Sequence, residues 1–165
     1  MNHQPERSQE EIENAVAAYA DTLFRVCLSM LRNPMDAEDM VQETFLKFSI
    51  SGIVFPSEAQ KKAWLIKVAV NLCKNQLSFF QRHKQISLED LSPSLEPPSD
   101  PNEGGALLEA LLSLPPKYRI VLTLYYVEEY TVREIALILH LHESSVKRRL
   151  ITGRTMLQKS YREEF

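Results

Sequence analysis

The sequence predicts an all-α protein built from two small helical domains joined by a flexible linker. Three observations carry that expectation. Apolar residues recur at three- and four-residue spacings in both halves of the chain, without strand-like alternation. Four of the nine prolines, Pro93, Pro97, Pro98 and Pro101, crowd between Gln85 and Gly105 among Ser, Asp and Glu. Proline removes a backbone donor and biases its predecessor away from helix, so this stretch reads as extended. Only 4 glycines punctuate 165 residues, which argues against a glycine-turned β protein or a phosphate-binding loop. The expected division is a helical unit over 8–84, an acidic Pro-rich linker over 85–104 and a second helical unit over 105–165.

Composition narrows the class. A hydrophobic share of 44% and a charged share of 25% are those of a soluble globular protein. No apolar run approaches the ~20 residues needed to cross a bilayer. The opening residues, with Glu6, Arg7, Glu10 and Glu11, carry no apolar signal-peptide core. The expectation is a cytoplasmic chain without direct membrane insertion. Cys27 and Cys73 fall inside apolar helical patterns and lack CxxC spacing, so they are read as two reduced core thiols.

In the first unit, a helix is expected from about Gln9 to Leu31, with Ile12, Val16, Tyr19, Leu23, Val26 and Met30 inward. Asn33-Pro34 ends it. Asp36 is placed as the N-cap of a second helix running to Phe48, with Glu38 and Asp39 where the helix dipole favours negative charge. On that helix Ala37, Met40, Val41, Thr44, Phe45 and Phe48 share one side, and Asp39, Gln42, Glu43 and Leu46 share the other. The outer stripe fits a solvated face; a leucine flanked by acids also fits a docking surface for a basic partner. A loop follows, with Gly52 and Pro56 and with Ile53, Val54 and Phe55 as its apolar anchor. A long helix is then expected from about Lys61 to Lys84, burying Leu65, Ile66, Ala69, Val70, Leu72, Cys73 and Leu77. Its remaining face presents Lys67, Asn71, Lys74, Asn75, Ser78 and Arg82, with Trp64 at the edge. Lysine-rich solvated helices have such faces too, but they usually mix signs for i,i+4 pairing. Cations and amides without an acid, beside an aromatic, suit a phosphate backbone and unstacked bases.

The second unit has the more specific pattern. A leucine-rich helix (Leu107, Leu108, Leu111, Leu112) runs to Pro115-Pro116, and another helix is expected from about Lys117 to Val127, burying Ile120, Val121, Leu124 and Val127 or their neighbours. Thr131-Val132-Arg133-Glu134 has the spacing of a capping box, Thr131 capping Glu134 and the reverse. The short helix it opens carries Ile135, Ala136 and Leu139. A turn at His140-Leu141-His142 leads to a helix beginning near Glu143. Short helix, turn and a helix with basic residues near its start form a DNA-binding helix-turn-helix. On the last helix Val146, Leu150, Gly153 and Leu157 face inward; Ser144, Arg148, Ile151, Thr152 and Thr155 project outward, flanked by Ser145 and Lys147. Arg148 is the candidate for a guanine edge and Ile151 for a thymine methyl. Lys147, Arg149 and Arg154 are candidates for phosphates.

Charge is segregated along the chain. Its net of −3 divides into −6 over residues 1–60, +6 over 61–84, −5 over 85–105 and +2 over 106–165. Different segments thus suit different partners. His140 and His142 lack a third ligand nearby, so no metal site is expected. No nucleophile–base arrangement, phosphate loop or paired buried carboxylate stands out, and neither catalytic residues nor cofactors are expected.

Several of these motifs resemble a known family. Asp36-Ala37-Glu38-Asp39-Met40-Val41-Gln42-Glu43-Thr44-Phe45, with Ala63-Trp64-Leu65 and Val68-Ala69-Val70-Asn71-Leu72, resembles region 2 of bacterial RNA polymerase sigma factors. Leu114-Pro115-Pro116-Lys117-Tyr118-Arg119, Tyr130-Thr131-Val132-Arg133-Glu134-Ile135-Ala136 and Ser145-Val146-Lys147-Arg148-Arg149-Leu150 resemble region 4. Two such units without further domains are similar to the extracytoplasmic-function class. The resemblance implies a sigma subunit that binds core RNA polymerase and promoter DNA, with no chemistry of its own. Asp39, Gln42, Glu43 and Leu46 would dock on the clamp coiled coil of the largest subunit. Trp64, Lys67, Asn71, Lys74 and Asn75, with the loop before Trp64, would bind the melted −10 strand. Ser144, Ser145, Lys147, Arg148, Arg149, Ile151, Thr152 and Arg154 would serve the −35 element. The acidic linker would thread towards the RNA exit path, and an anti-sigma factor would hold the protein inactive. Two other readings stand beside this one: a two-domain helix-turn-helix regulator acting without polymerase, and an enzyme that modifies nucleic acid.

Overall fold

A computed structural model of the chain describes residues 7–83 and 103–163. Most of the expected linker, residues 85–102, lies outside the described residues. The described residues form no strand. The helices are α1 (Gln9–Leu31), α2 (Pro34–Ile50), α3 (Glu58–Arg82), α4 (Glu103–Ser113), α5 (Pro116–Leu122), α6 (Val132–Leu139) and α7 (Glu143–Glu163), with a π-helical turn at Thr123–Val127 after α5. The fold is all-α, as the apolar spacing predicts. Helix α4 takes in Glu103 and Gly104, both within the expected linker.

Helices α1, α2 and α3 pack mutually around a core in which Leu23, Val26, Phe48, Leu65, Ile66 and Val70 are fully buried. Helix α1 ends where Arg32 turns to φ 61° and donates its N–H to the Leu28 carbonyl at 2.9 Å. The next helix starts earlier than expected. Asn33, not Asp36, is its N-cap: Asn33 Oδ1 accepts from the N–H groups of Met35 (2.9 Å) and Asp36 (3.2 Å). Pro34 at the first helical position explains the shift, because it lacks an N–H to orphan and its φ is already helical. Asp36 sits instead in the first turn, where burial first and the nearby Asp39 second raise its carboxyl pKa. Helix α3 likewise begins at Glu58 rather than Lys61, capped by Ser57 Oγ accepting from Gln60 N–H at 3.2 Å.

Two apolar expectations fail on the first unit. Val16 is not core; it is 38% exposed and lines an open groove between α1 and α2. In the loop before α3, Ile53 and Val54 are exposed, and of the expected anchor Phe55 packs inward. Phe55 sits 6.4 Å from Phe48 and 5.6 Å from Trp64 between ring centroids. The loop backbone is secured by a polar device instead. The Arg7 guanidinium lies 4.2 Å over the Phe48 ring, donates to the Phe48 carbonyl at 2.8 Å and also donates to the Ile53 carbonyl.

In the second unit α5 and α6 pack against α7, with Ile120, Val121, Leu124, Ile135, Leu139, Val146 and Leu150 buried. Val127, expected inside, is 52% exposed. The chain takes an i→i−5 bond, Glu128 N–H to Thr123 carbonyl at 3.0 Å, and the wider π turn rotates Tyr125, Tyr126 and Val127 outward. Gly153 on α7 allows close approach: a Cβ there would stand 3.2 Å from Leu122 Cδ1 and 3.4 Å from Tyr118 Cβ.

The two units are packed together. Helices α1 and α3 contact α2 on one side and the second unit on the other, α1 against α5 and α3 against α6. The buried residues of both units join one cluster. Phe48→Ala, which empties a fully buried site beneath Arg7, Phe55 and Trp64, is expected to lower stability by ~3–5 kcal/mol. Urea denaturation followed by circular dichroism checks it.

Candidate nucleic-acid and polymerase interfaces

The outer stripe of α2 emerges as the angular pattern predicts. Asp39, Gln42, Glu43 and Leu46 are all exposed, Leu46 at 59%, while Ala37, Val41, Thr44, Phe45 and Phe48 on the same helix are buried. Beside the stripe runs a groove of about 870 Å³ between α1 and α2, floored by Ile12, Val16, Ala20, Phe24, Val41 and Phe45. Asp21 and Glu38 border it. A protruding leucine, an apolar trough and acids at the margin can receive an apolar ridge with basic flanks.

The α3 face is less uniform than the sequence suggests. Asn71, Lys74 and Asn75 are exposed, whereas Lys67 and Trp64 are half-buried. Trp64 packs with its ring centroid 6.3 Å from Phe48 and 5.6 Å from Phe55, so it belongs to the aromatic cluster under the loop as well as to the surface. Next to it the loop and Arg7, Glu58 and Lys61 enclose a cavity of about 480 Å³. Sequence reasoning missed Arg7, because its partners, Phe48 and Ile53, lie far along the chain and backbone carbonyls leave no sequence signal.

The helix-turn-helix forms. Thr131 and Glu134 make both arms of the capping box: Glu134 N–H donates to Thr131 Oγ1 at 3.2 Å, and Thr131 N–H donates to Glu134 Oε1 at 3.1 Å. The turn is made by His140 at φ 55°, followed by Leu141 N–H donating to the Ala136 carbonyl at 3.0 Å. Ala136 is buried and small where the chain folds back. Of the α7 candidates, Ser144, Lys147, Arg148, Ile151 and Arg154 are exposed, and Ser145, Arg149 and Thr152 are half-buried. Arg154 is engaged within the unit, donating to Tyr126 Oη at 2.9 Å.

Lys74 and Arg149, expected on separate DNA elements, lie close together. Both line a cavity of about 320 Å³ between the units, with Met30, Leu77, Ile120 and Leu139. Partial desolvation first and the Arg149 charge second lower the Lys74 pKa. Among the described residues, no group of three His, Cys, Asp or Glu side chains converges as metal ligands would, and no helix is long and apolar enough to cross a membrane.

Comparison with known proteins adds family information to this geometry. Residues 15–83 match Sigma-70 region 2, and residues 104–157 match Sigma-70, region 4. The chain is similar to the ECF RNA polymerase sigma factor SigW of Bacillus subtilis, with 29% identity over 94% of this chain and 91% of that one. It is 32% identical to the RNA polymerase sigma factor CarQ of Myxococcus xanthus, over 78% of this chain and 76% of CarQ. Its fold is similar to that of the sigma factor RpoE of Bartonella quintana, solved in complex with the anti-sigma factor NepR. That similarity has a TM-score of 0.74 at 20% identity and covers 93% of this chain and 98% of RpoE.

Thr131→Ala, which removes one arm of the capping box, is expected to destabilise the second unit by about 1 kcal/mol. A fall in the urea midpoint without a change in slope is the expected reading; an unchanged midpoint would show that the box contributes nothing.

Proposed function

The chain belongs to the RNA polymerase sigma factors, in the extracytoplasmic-function class, and from that membership we propose how its exposed faces divide the work. The protein is a sigma subunit, which joins core RNA polymerase and directs it to promoters. In our reading Asp39, Gln42, Glu43 and Leu46 dock on the clamp coiled coil of the largest polymerase subunit. The groove beside them receives the apolar part of that contact. Trp64, Lys67, Asn71, Lys74 and Asn75 hold the melted −10 strand, with the loop before α3 beside them. Helix α7 enters the major groove of the −35 element, Arg148 and Ile151 reading bases while Lys147, Arg149 and Arg154 meet phosphates.

One observation supports this division above the others. The acid-flanked leucine stripe is exposed on α2, whereas the cationic residues belong to α3 and α7. A protein contact and a DNA contact can therefore be made by different surfaces at once. The protein contributes positioning and strand capture, and polymerase performs the chemistry; we assign it no catalytic activity of its own. It acts in the cytoplasm, where its template lies. RpoE of Bartonella quintana was solved with an anti-sigma factor, and we propose that a protein inhibitor of this kind controls the present chain too. A duplex-binding regulator working without polymerase would leave the acid-flanked leucine stripe of α2 without a role.

Asp39→Arg with Glu43→Arg reverses the charge of an exposed face without touching the core. The double variant is expected to lose co-purification with core polymerase while retaining duplex binding; retention of polymerase would reject the docking assignment. Arg148→Ala is expected to cost ~1–3 kcal/mol in promoter affinity and to relax preference at one base pair. Binding measured across a randomised −35 library checks that role.

A further inference from the structure

We propose that Arg7 is a positioning residue for strand capture: it holds the loop before α3 so that Ile53 and Val54 form an aliphatic edge for the bases of the melted strand. The proposal rests on the reading above that this loop lies beside that strand.

The placement of Arg7 starts from a helix cap. Ser8 caps α1, its Oγ accepting the Glu11 N–H at 3.2 Å, so the residue before it is fixed at the helix entrance. From there the Arg7 N–H donates to the Ser49 carbonyl at 3.4 Å, and a side chain only 10% exposed crosses to the end of α2. Its guanidinium lies 4.2 Å from the Phe48 centroid and 5.4 Å from that of Phe55. Stacking on a ring leaves the in-plane N–H groups of a guanidinium free to find acceptors. Nε donates to the Phe48 carbonyl at 2.8 Å, Nη2 to the Ile53 carbonyl and Nη1 to Glu11 Oε2 at 3.3 Å.

These contacts decide what Arg7 does. Each of its three guanidinium nitrogens already has an acceptor, and Glu11 offsets its charge, so it is not poised to receive a phosphate. Its effect passes through the loop. The stacked guanidinium takes a place over Phe48 that an aliphatic loop side chain could otherwise fill, and Ile53 and Val54 are left 46% and 88% exposed. The Ile53 carbonyl belongs to the peptide that joins these two residues, so the bond from Nη2 sets the direction of the tip. The far end of the loop is tied as well: Ser57 caps α3, and Tyr19 Oη of α1 donates to Glu58 Oε2. A loop held in this way loses little further freedom when it binds.

Two adjacent branched aliphatic side chains kept in water forfeit hydrophobic free energy that a partner surface would recover. The cavity of about 480 Å³ flanks them. Apolar side chains pack against unstacked base faces, and the proposed strand face of α3 supplies cations for the phosphates. In an intact duplex each base face is covered by its neighbours. An aliphatic edge at this place therefore favours melted over paired DNA.

Fluorescence anisotropy on holoenzyme reconstituted from the full chain and purified core polymerase tests the proposal. The probe is a single strand that the unaltered holoenzyme selects from a randomised pool of roughly 15 nucleotides. Arg7→Ala should weaken binding of this strand roughly fivefold, with core co-purification and binding of a mixed-sequence duplex unchanged. Arg7→Lys keeps the charge without the fork and should behave as Arg7→Ala does. Val54→Ala, at a fully accessible tip, should cost about threefold by itself and less than that when added to Arg7→Ala, because the tip is then no longer placed. Additive losses, full affinity in either Arg7 variant, or loss of core polymerase or duplex binding overturns the proposal. If Arg7→Ala does not fold by circular dichroism, Arg7→Lys with Val54→Ala completes the same cycle. A pool from which the unaltered holoenzyme selects nothing would sink the strand-capture reading and this proposal with it; selection that survives Arg7→Ala would sink this proposal alone.

Discussion

A guanidinium sits 97% covered at the end of the first helix, and the placement of the second unit turns on it. Arg119 is 3% exposed and binds the carbonyls of Met30 and Leu112, without a carboxylate among its hydrogen-bond partners. Burying such a charge is expensive unless its donors find acceptors. The Met30 carbonyl in the last turn of α1 and the Leu112 carbonyl of α4 provide them, and the dipole of α1 favours a cation at that end. With Arg119 seated there, Ile120 and Leu139 line one cavity with Met30 and Leu77, and Glu128 pairs with Arg25. The apolar seam and the ion pair thus share one register.

That register explains why two modest cores behave as one cluster. A three-helix unit of this size buries a limited fraction of its surface. Helices α1 and α3 carry apolar side chains on more than the face that α2 can cover, and Met30 and Leu77 reach beyond it. The second unit covers these positions. Helix α2 is left at the far side of the layer, so its acidic stripe and the neighbouring trough stay open. Charge follows the same division: acids lie on the α2 side, and cations from α3 and α7 meet near the seam, where Lys74 and Arg149 oppose each other.

Much of the architecture was legible from local pattern. The two faces of α2 follow from a 3.6-residue period, and Asp39, Gln42, Glu43 and Leu46 are all exposed. The capping box at Thr131 and Glu134 is a four-residue signal, and both of its bonds form. The misses have separate causes. Asp36 lost the capping role to Asn33 because Pro34 could open the helix one turn earlier. Val127 turned outward because a single added residue in a π turn shifts the angular register. Ile53 and Val54 stayed exposed because Arg7, distant in sequence, ties the loop through backbone carbonyls that no side-chain pattern records.

By itself the sequence determined the helices, their buried stripes and the separation of acidic from basic segments, because these depend on neighbours within a few residues of each other. Its motifs also carried the family resemblance that comparison with known proteins bears out. The tertiary structure alone decided that Arg119 would meet the Met30 carbonyl at the end of α1, that Arg25 would meet Glu128 across 103 residues, and that Lys74 would share a cavity with Arg149. Such pairings depend on where two packed surfaces come to rest, and that position is set by the sum of many weak apolar contacts. No single spacing in the chain encodes it.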